Sequence, residues 1–412
     1  MARSELSRSL GLWDAVAIGV ASMVGAGVFA VWGPAAQSAG SWLLLGLVIA
    51  STVAWANATS SAQLAAQYPA AGGTYVYGRE RLGEWPGYLA GWSFVIGKTA
   101  SCAAMALAFA AYVAPEGWQK PVAISVVWVL VGVNSLGVTR TAQAAKVLVT
   151  LSLTGIVLAV AFGWFAGPEV GRFAWAQPVG GAYGVLQSAG LLFFAFAGYA
   201  RIATLGEEVR DPAQTIRRAI VGALTFVLAL YAVVGVSLLA LLGPEVLASH
   251  TAPLLLLVEG NPVLRIILTV GAGAAIAGAL LGLLSGIGRT WLAMARERDL
   301  PGWFDHTHPV TKVPHRIEGT LGVLLTVILL LVDLRGAIGF SSFGVLLYYF
   351  VANVAAHSQD AAHLRYPKAW QVLGAALCFV LVVTLPWQSV LGGLLVLGLG
   401  VAWRALRPAA LR

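Results

Sequence analysis

IGVASMVGAGVFAVWGP, residues 18–34, decides how the rest of the chain is read. The segment is apolar enough to cross a bilayer, yet Ser22, Gly25, Ala26 and Gly27 gather in its middle. Glycine weakens a helix, and in hydrocarbon each unpaired amide or carbonyl is costly. A break at that depth is tolerated only where protein or a water-filled cavity satisfies the freed backbone groups.

The surrounding composition fixes the solvent. Of 412 residues, 59% are hydrophobic and 10% charged, with a mean hydropathy of +0.83. A soluble chain could not hide so much apolar surface, so lipid covers part of it. Apolar runs recur at the length of about 17–25 residues that crosses a hydrocarbon core of ~30 Å. The pattern predicts twelve helices, over 12–33, 41–66, 86–114, 121–138, 143–166, 184–206, 214–242, 263–292, 316–333, 338–357, 370–385 and 388–405. The longest connections, near 167–183 and 293–315, leave no room for a soluble domain. The polar start, MARSELSRSLGLWDA, runs into a full-length span without a small-residue cleavage site, so it reads as a retained segment.

The net charge of +8 does not indicate nucleic acid, because the positive charges sit in short connections. The N-terminal tail, the loops after helices 2, 4, 6, 8 and 10, and the C-terminal tail hold 19 Lys and Arg; the opposite loops hold only Lys120, Arg172, Arg265 and Arg335. Both termini are expected in the cytoplasm of a cell-membrane protein. Cys102 and Cys378 lie in apolar runs and supply neither a disulfide framework nor a metal site, and no cofactor is expected. There is no P-loop pattern for nucleotide-driven work. Gly278, Gly282 and Gly286, at steps of four in helix 8, predict a close helix–helix seam.

Helix 6 repeats the interruption of helix 1, in LLFFAFAGYARIATLGEE, centred on Ala197 and Gly198. Helix 1 enters from the cytoplasm and helix 6 from the other side, so both breaks fall near the midplane. Paired, oppositely oriented breaks five helices apart are the signature of an inverted-repeat transporter. Half-helix N-termini there hold an anionic group and unwound carbonyls a cationic one. An α-amino acid offers both charges on adjacent atoms.

SMVGAGVF (22–29), YPAAGGTYVYGRERLG (68–83), FFAFAGYARIATLGEEVRDPAQTIRRAI (193–220) and SFGVLLYYFVAN (342–353) together resemble the amino acid–polyamine–organocation permeases. The resemblance implies an all-α membrane protein of the leucine-transporter fold. Helices 1–5 (12–166) and 6–10 (184–357) would form inverted repeats, with helices 11 and 12 (370–405) added, all within one domain of 1–412. It implies transport of amino acids or related amines by proton symport or exchange. By motif, Ser22, Met23, Val24, Gly25, Ala26 and Gly27 form one side of the site. The amides of Ala26 and Gly27 would meet a carboxylate, and the carbonyls of Met23 and Ala197 an amine. Phe194 and Phe196 would cover the ligand beside Ala197 and Gly198. One departure is that Ala200 and Arg201 stand where several members carry a carboxylate.

Two charges fall inside predicted spans. An intramembrane Lys98 is a functional-site hypothesis by default; it would couple a proton, contact substrate, or bond helix-end carbonyls. In the arginine/agmatine exchangers that the chain resembles, that position faces the substrate. Arg201 keeps its proton and would bind a carboxylate, act as a gate, or lock helix 6 to a neighbour. No Asp or Glu is expected at midplane depth, which favours neutral amino acids over cationic ones. His306, His308 and His315 read as a solvated loop and not a metal site. Asp211 before Pro212 reads as the cap of helix 7. Tyr348 and Tyr349 would line the pathway or pack on helix 6. The expected function is secondary amino acid transport with protons, the alternative being export or exchange; a membrane enzyme or sensor fits poorly.

Overall fold

The computed structural model describes residues 10–25, 27–68, 72–137, 142–167, 179–203, 205 and 208–406. In chain order the helices begin with α1 (Leu12–Val24), α2 (Trp32–Ala39), α3 (Leu43–Gln67) and α4 (Thr74–Leu82). Next come α5 (Glu84–Val113), α6 (Gln119–Ser135), α7 (Ala142–Ala166), α8 (Gly181–Phe196) and α9 (Ala200–Ala203). They are followed by α10 (Pro212–Ser249), α11 (Pro253–Leu256), α12 (Pro262–Arg296) and α13 (His315–Leu331). The last are α14 (Leu334–His357), α15 (Lys368–Thr384) and α16 (Trp387–Ala405). No strand occurs among the described residues, and eight stretches are long and apolar enough to cross a membrane.

Most boundaries fall within a few residues of the expected ones. Helix 1 is divided into α1 and α2. Helix 7 continues past its expected end at 242 to Ser249, through a kink at Gly243 (φ 76°) where Pro244 removes a backbone donor. Asp211 stands at the N-cap of α10 in a left-handed conformation, without the side-chain bond that a cap would make.

Small residues set the packing. Gly97 of α5 and Gly344 of α14 face each other so closely that a Cβ on Gly97 would stand 2.9 Å from the Val345 amide nitrogen. This contact lets the two enclosed helices cross backbone to backbone. The seam expected at Gly286 is not there, since a Cβ at that position would meet open space. The close approaches on α12 are instead Gly271 against α7, Gly273 against Val113 and Phe109, and Gly288 against α13. Gly91 of α5 packs on Met294. With Gly273 on Val113 at the other end, α5 and α12 run antiparallel in a register that sets Gly288 level with Gly97 and Lys98.

The two ends of the bundle are tied differently. On the face that carries the charged loops, the carboxylate of Asp299, 5% exposed, holds three elements together. Arg404 of α16 and Arg79 of α4 (3.0 Å) donate to it, as does the Tyr75 hydroxyl (2.8 Å). Arg404 also bonds Glu84 at 3.1 Å and lies over the rings of Trp85 and Tyr88. The entry to α1 is held by backbone bonds from Leu10 to Glu208 (3.1 Å) and from Arg210 to Leu10 (2.9 Å). An Asp14–Lys146 pair at 2.6 Å adds a tie to α7. On the far face Arg335 of α14 donates to Gln37 (3.2 Å) and Ser38 (3.0 Å) of α2 and to Gln187 of α8 (2.9 Å).

Removing one partner of a buried ion network leaves the others uncompensated, at a cost of about 3–5 kcal/mol. Asp299→Ala therefore lowers the melting temperature in detergent strongly. Glu297→Ala, whose side chain is 58% exposed and lies 3.7 Å from Arg79, changes it little. Equal shifts for the two variants would remove Asp299 from this role.

Candidate binding site at the helix breaks

The regular bonding of α1 carries past its end through Gly25 to Ala21 (3.0 Å) and Gly27 to Met23 (2.9 Å). It then stops. Ala30 and Val31 both donate to the Gly27 carbonyl, at 3.0 and 3.2 Å, before α2 resumes at Trp32. The second break follows α8, where Ala197–Tyr199 form a 3-10 turn leading into α9. Ala26, one of the two amides expected to meet a carboxylate, lies outside the described residues, as does Glu207.

The breaks pack directly on one another, and glycine makes this possible. A Cβ on Gly198 would stand 2.6 Å from the Met23 nitrogen. One on Gly27 would enter the Ala195 backbone and come within 2.9 Å of the Tyr231 hydroxyl. Gly25 is pressed on α12, where a Cβ would lie 2.6 Å from the Ala275 carbonyl oxygen.

The chain's own donors occupy the carbonyls expected to serve an amine. The Tyr231 hydroxyl, from α10, lies 2.9 Å from the Met23 oxygen and 3.1 Å from that of Ala195. Its single proton is thus shared between carbonyls at the two breaks, that of Met23 also accepting from the Gly27 amide. The Lys98 ammonium, on a residue 6% exposed, donates to the Ala197 oxygen at 3.1 Å. The Gly27 amide, expected to be available for a carboxylate, is engaged with Met23 in this conformation.

The remaining expected residues fall around this contact. Ser22 turns its hydroxyl back onto Ile18 (2.8 Å), a bond that competes with helix pairing. Met23, Val24, Phe194 and Phe196 are buried, and the Phe196 ring lies 5.1 Å from that of Tyr231. Arg201 sits beyond the break, with Arg289 of α12 and Glu208 as charged neighbours. Tyr349 packs on helix 6, stacked on Tyr199 and edge-on to Phe193. The Tyr348 hydroxyl accepts from the Thr74 amide at 3.0 Å. His308 and His315 are stacked with centroids 4.5 Å apart, His315 reaching the Ser135 carbonyl. Among the described residues no group of three possible ligands could hold a metal. Tyr231 escaped sequence reasoning, because a tyrosine in an apolar run carries no positional signal.

Comparison with known proteins gives a consistent result. Residues 10–394 match the family model described as amino acid permease. An uncharacterized transporter of Mycobacterium tuberculosis is 51% identical, covering 98% of this chain and 92% of its own. The branched-chain amino acid permease BcaP of Bacillus subtilis is 24% identical over 96% and 92%. Cationic amino acid transporter 7, chloroplastic, of Arabidopsis thaliana is 27% identical over 93% and 71%.

Two variants separate binding from support. Gly27→Leu drives a side chain into Ala195 and Tyr231 and abolishes stabilisation of the purified protein by amino acids against heat. Tyr231→Phe takes this donor from the Ala195 carbonyl, while Met23 keeps the Gly27 amide, and lowers stability by about 1–3 kcal/mol, the cost of an unmet buried polar group. Thermal unfolding with and without ligand reads both effects.

Proposed function

The chain belongs to the amino acid permease family, and from that premise we propose that it is a secondary transporter moving a neutral amino acid together with a proton. The observation that carries this reading is the meeting of two broken helices under Tyr231 and Lys98. In the proposed architecture twelve helices span the membrane. Residues 12–166 and 184–357 form inverted repeats and 370–405 two added helices. The face with Asp299 and Arg404 is cytoplasmic, as are both termini, in a plasma-membrane protein; this follows the excess of Lys and Arg there.

The amino acid would enter between the breaks with its amine toward the carbonyls of Met23 and Ala197. Its carboxylate would meet the amides of residues 26 and 27. The Lys98 ammonium has three protons to donate, and one goes to Ala197. A substrate carboxylate suits the others, while the substrate amine competes with Lys98 for the Ala197 oxygen. Binding and the state of Lys98 are thereby linked, which is what coupling to a proton requires. Arg201 stands on the cytoplasmic side of the break and suits a gate. Lys98 adds positive charge next to the site, so a second cation on the substrate would be repelled. Neutral side chains are favoured over the cationic ones that some relatives' names mention.

Ties on both faces describe a closed state of an alternating-access cycle, and in a reversible carrier the gradients set the direction. In proteoliposomes, leucine-like amino acids should compete for uptake at least ten-fold better than arginine, a preference of about 1.4 kcal/mol. An inside-alkaline gradient should drive accumulation. Lys98→Ala should lose more of that accumulation than of counterflow against internal substrate. Equal loss of both, or uptake indifferent to an imposed pH gradient, would contradict the coupling.

A further inference from the structure

Glu318 is the fourth residue of α13 and is 1% exposed. Its Oε1 lies over Gly288 of α12, so near that a Cβ there would stand 2.7 Å away. Its Oε2 has no hydrogen-bond partner, and the Asn134 side chain of α6 bonds the carboxyl group. Because α5 and α12 pack with Gly91 on Met294 and Gly273 on Val113, Gly288 and hence Glu318 lie level with Lys98. Glu318 is thus an acid enclosed within the bundle.

The surroundings of Glu318 hold no compensating cation among the described residues. From α5 the titratable neighbour is Cys102, one turn beyond Lys98 and within electrostatic reach of both groups. From α6 there is only the Asn134 amide. Arg289, next to Gly288 on α12, acts on Arg201 instead. On α13 itself His315 is held on the Ser135 carbonyl (2.8 Å) and Arg316 on that of Trp303 (2.9 Å). A buried carboxylate needs a cation or a full set of donors, and Glu318 has one amide. A neutral carboxylic acid fits the site.

We propose that Glu318 is a proton-binding residue of the transport cycle, a second one at the depth of Lys98; this rests on the proton-coupled reading above. In the closed state the acid keeps its proton. When the cytoplasmic side opens and water reaches α13, the O–H bond breaks and the proton leaves to water as hydronium. The carboxylate left behind is hydrated, and in the empty carrier it regains a proton from water admitted at the opposite face, so one proton crosses per cycle. Gly288 matters because any side chain there would displace the acid from its slot.

Infrared difference spectroscopy of the purified protein, wild type minus Glu318→Gln, over a pH titration is the direct test. A protonated-carboxyl C=O stretch lost in the variant at neutral pH is expected. A difference confined to the carboxylate stretches would show an ionised Glu318 and overturn the proposal. In proteoliposomes a one-unit pH gradient supports about ten-fold accumulation for one proton per substrate. Glu318→Gln should lose most of that ratio while counterflow falls far less. Wild type driven by the gradient with Glu318→Gln driven equally would sink this role for Glu318 and leave the coupled reading standing. Wild type indifferent to the gradient would sink both. If Glu318→Gln does not fold, Glu318→Asp keeps the acid one methylene shorter; an unchanged pH dependence of transport in that variant would count against the proposal.

Discussion

A helix interrupted in the middle of a membrane protein has to find partners for the amides and carbonyls it releases, and here two interruptions share the same ones. The Tyr231 hydroxyl reaches the carbonyls of Met23 and Ala195, and Lys98 reaches that of Ala197. Everything else follows from that constraint. Gly198 and Gly27 are needed so that the breaks can touch, and α10 and α5 are needed to deliver the two donors. The breaks are thus closed by groups of the chain itself, which in the proposed reading a zwitterionic ligand of similar chemistry would replace. A ligand with a matching amine and carboxylate would exchange one set of hydrogen bonds for another and leave no group unpaired.

The enclosed helices α5 and α14 form a rigid centre because their backbones meet at Gly97 and Gly344. Around this centre, the helix breaks pack closely at Gly25, Gly27 and Gly198, and polar ties secure the entry to α1: the Leu10–Glu208 and Arg210–Leu10 bonds and the Asp14–Lys146 pair. Polar ties in contact with water exchange easily with solvent, whereas close glycine packing does not.

Much of this was legible in the residues. The small-residue runs at 22–27 and 197–198 mark the breaks, because glycine and serine at that depth make no sense in an uninterrupted span. Lys98 stood out for its charge. Tyr231 did not, since its meaning lies in what it touches across the bundle and not in its spacing. Gly278, Gly282 and Gly286 gave a periodic seam on paper, yet a Cβ on Gly286 would meet open space, because helix rotation is set by neighbours that periodicity does not contain. Glu318 carried no signal in the sequence; its enclosure comes from packing on α12 and α6.

The far face carries one more lesson in the guanidinium of Arg335, which serves Gln37, Ser38 and Gln187 together. Three acceptors on two helices meet one side chain of a third, and the Ser38 hydroxyl donates on to Gln187 at 3.2 Å. A substitution at that one position would therefore loosen α14 from α2 and α8 at once, while the link between α2 and α8 would remain.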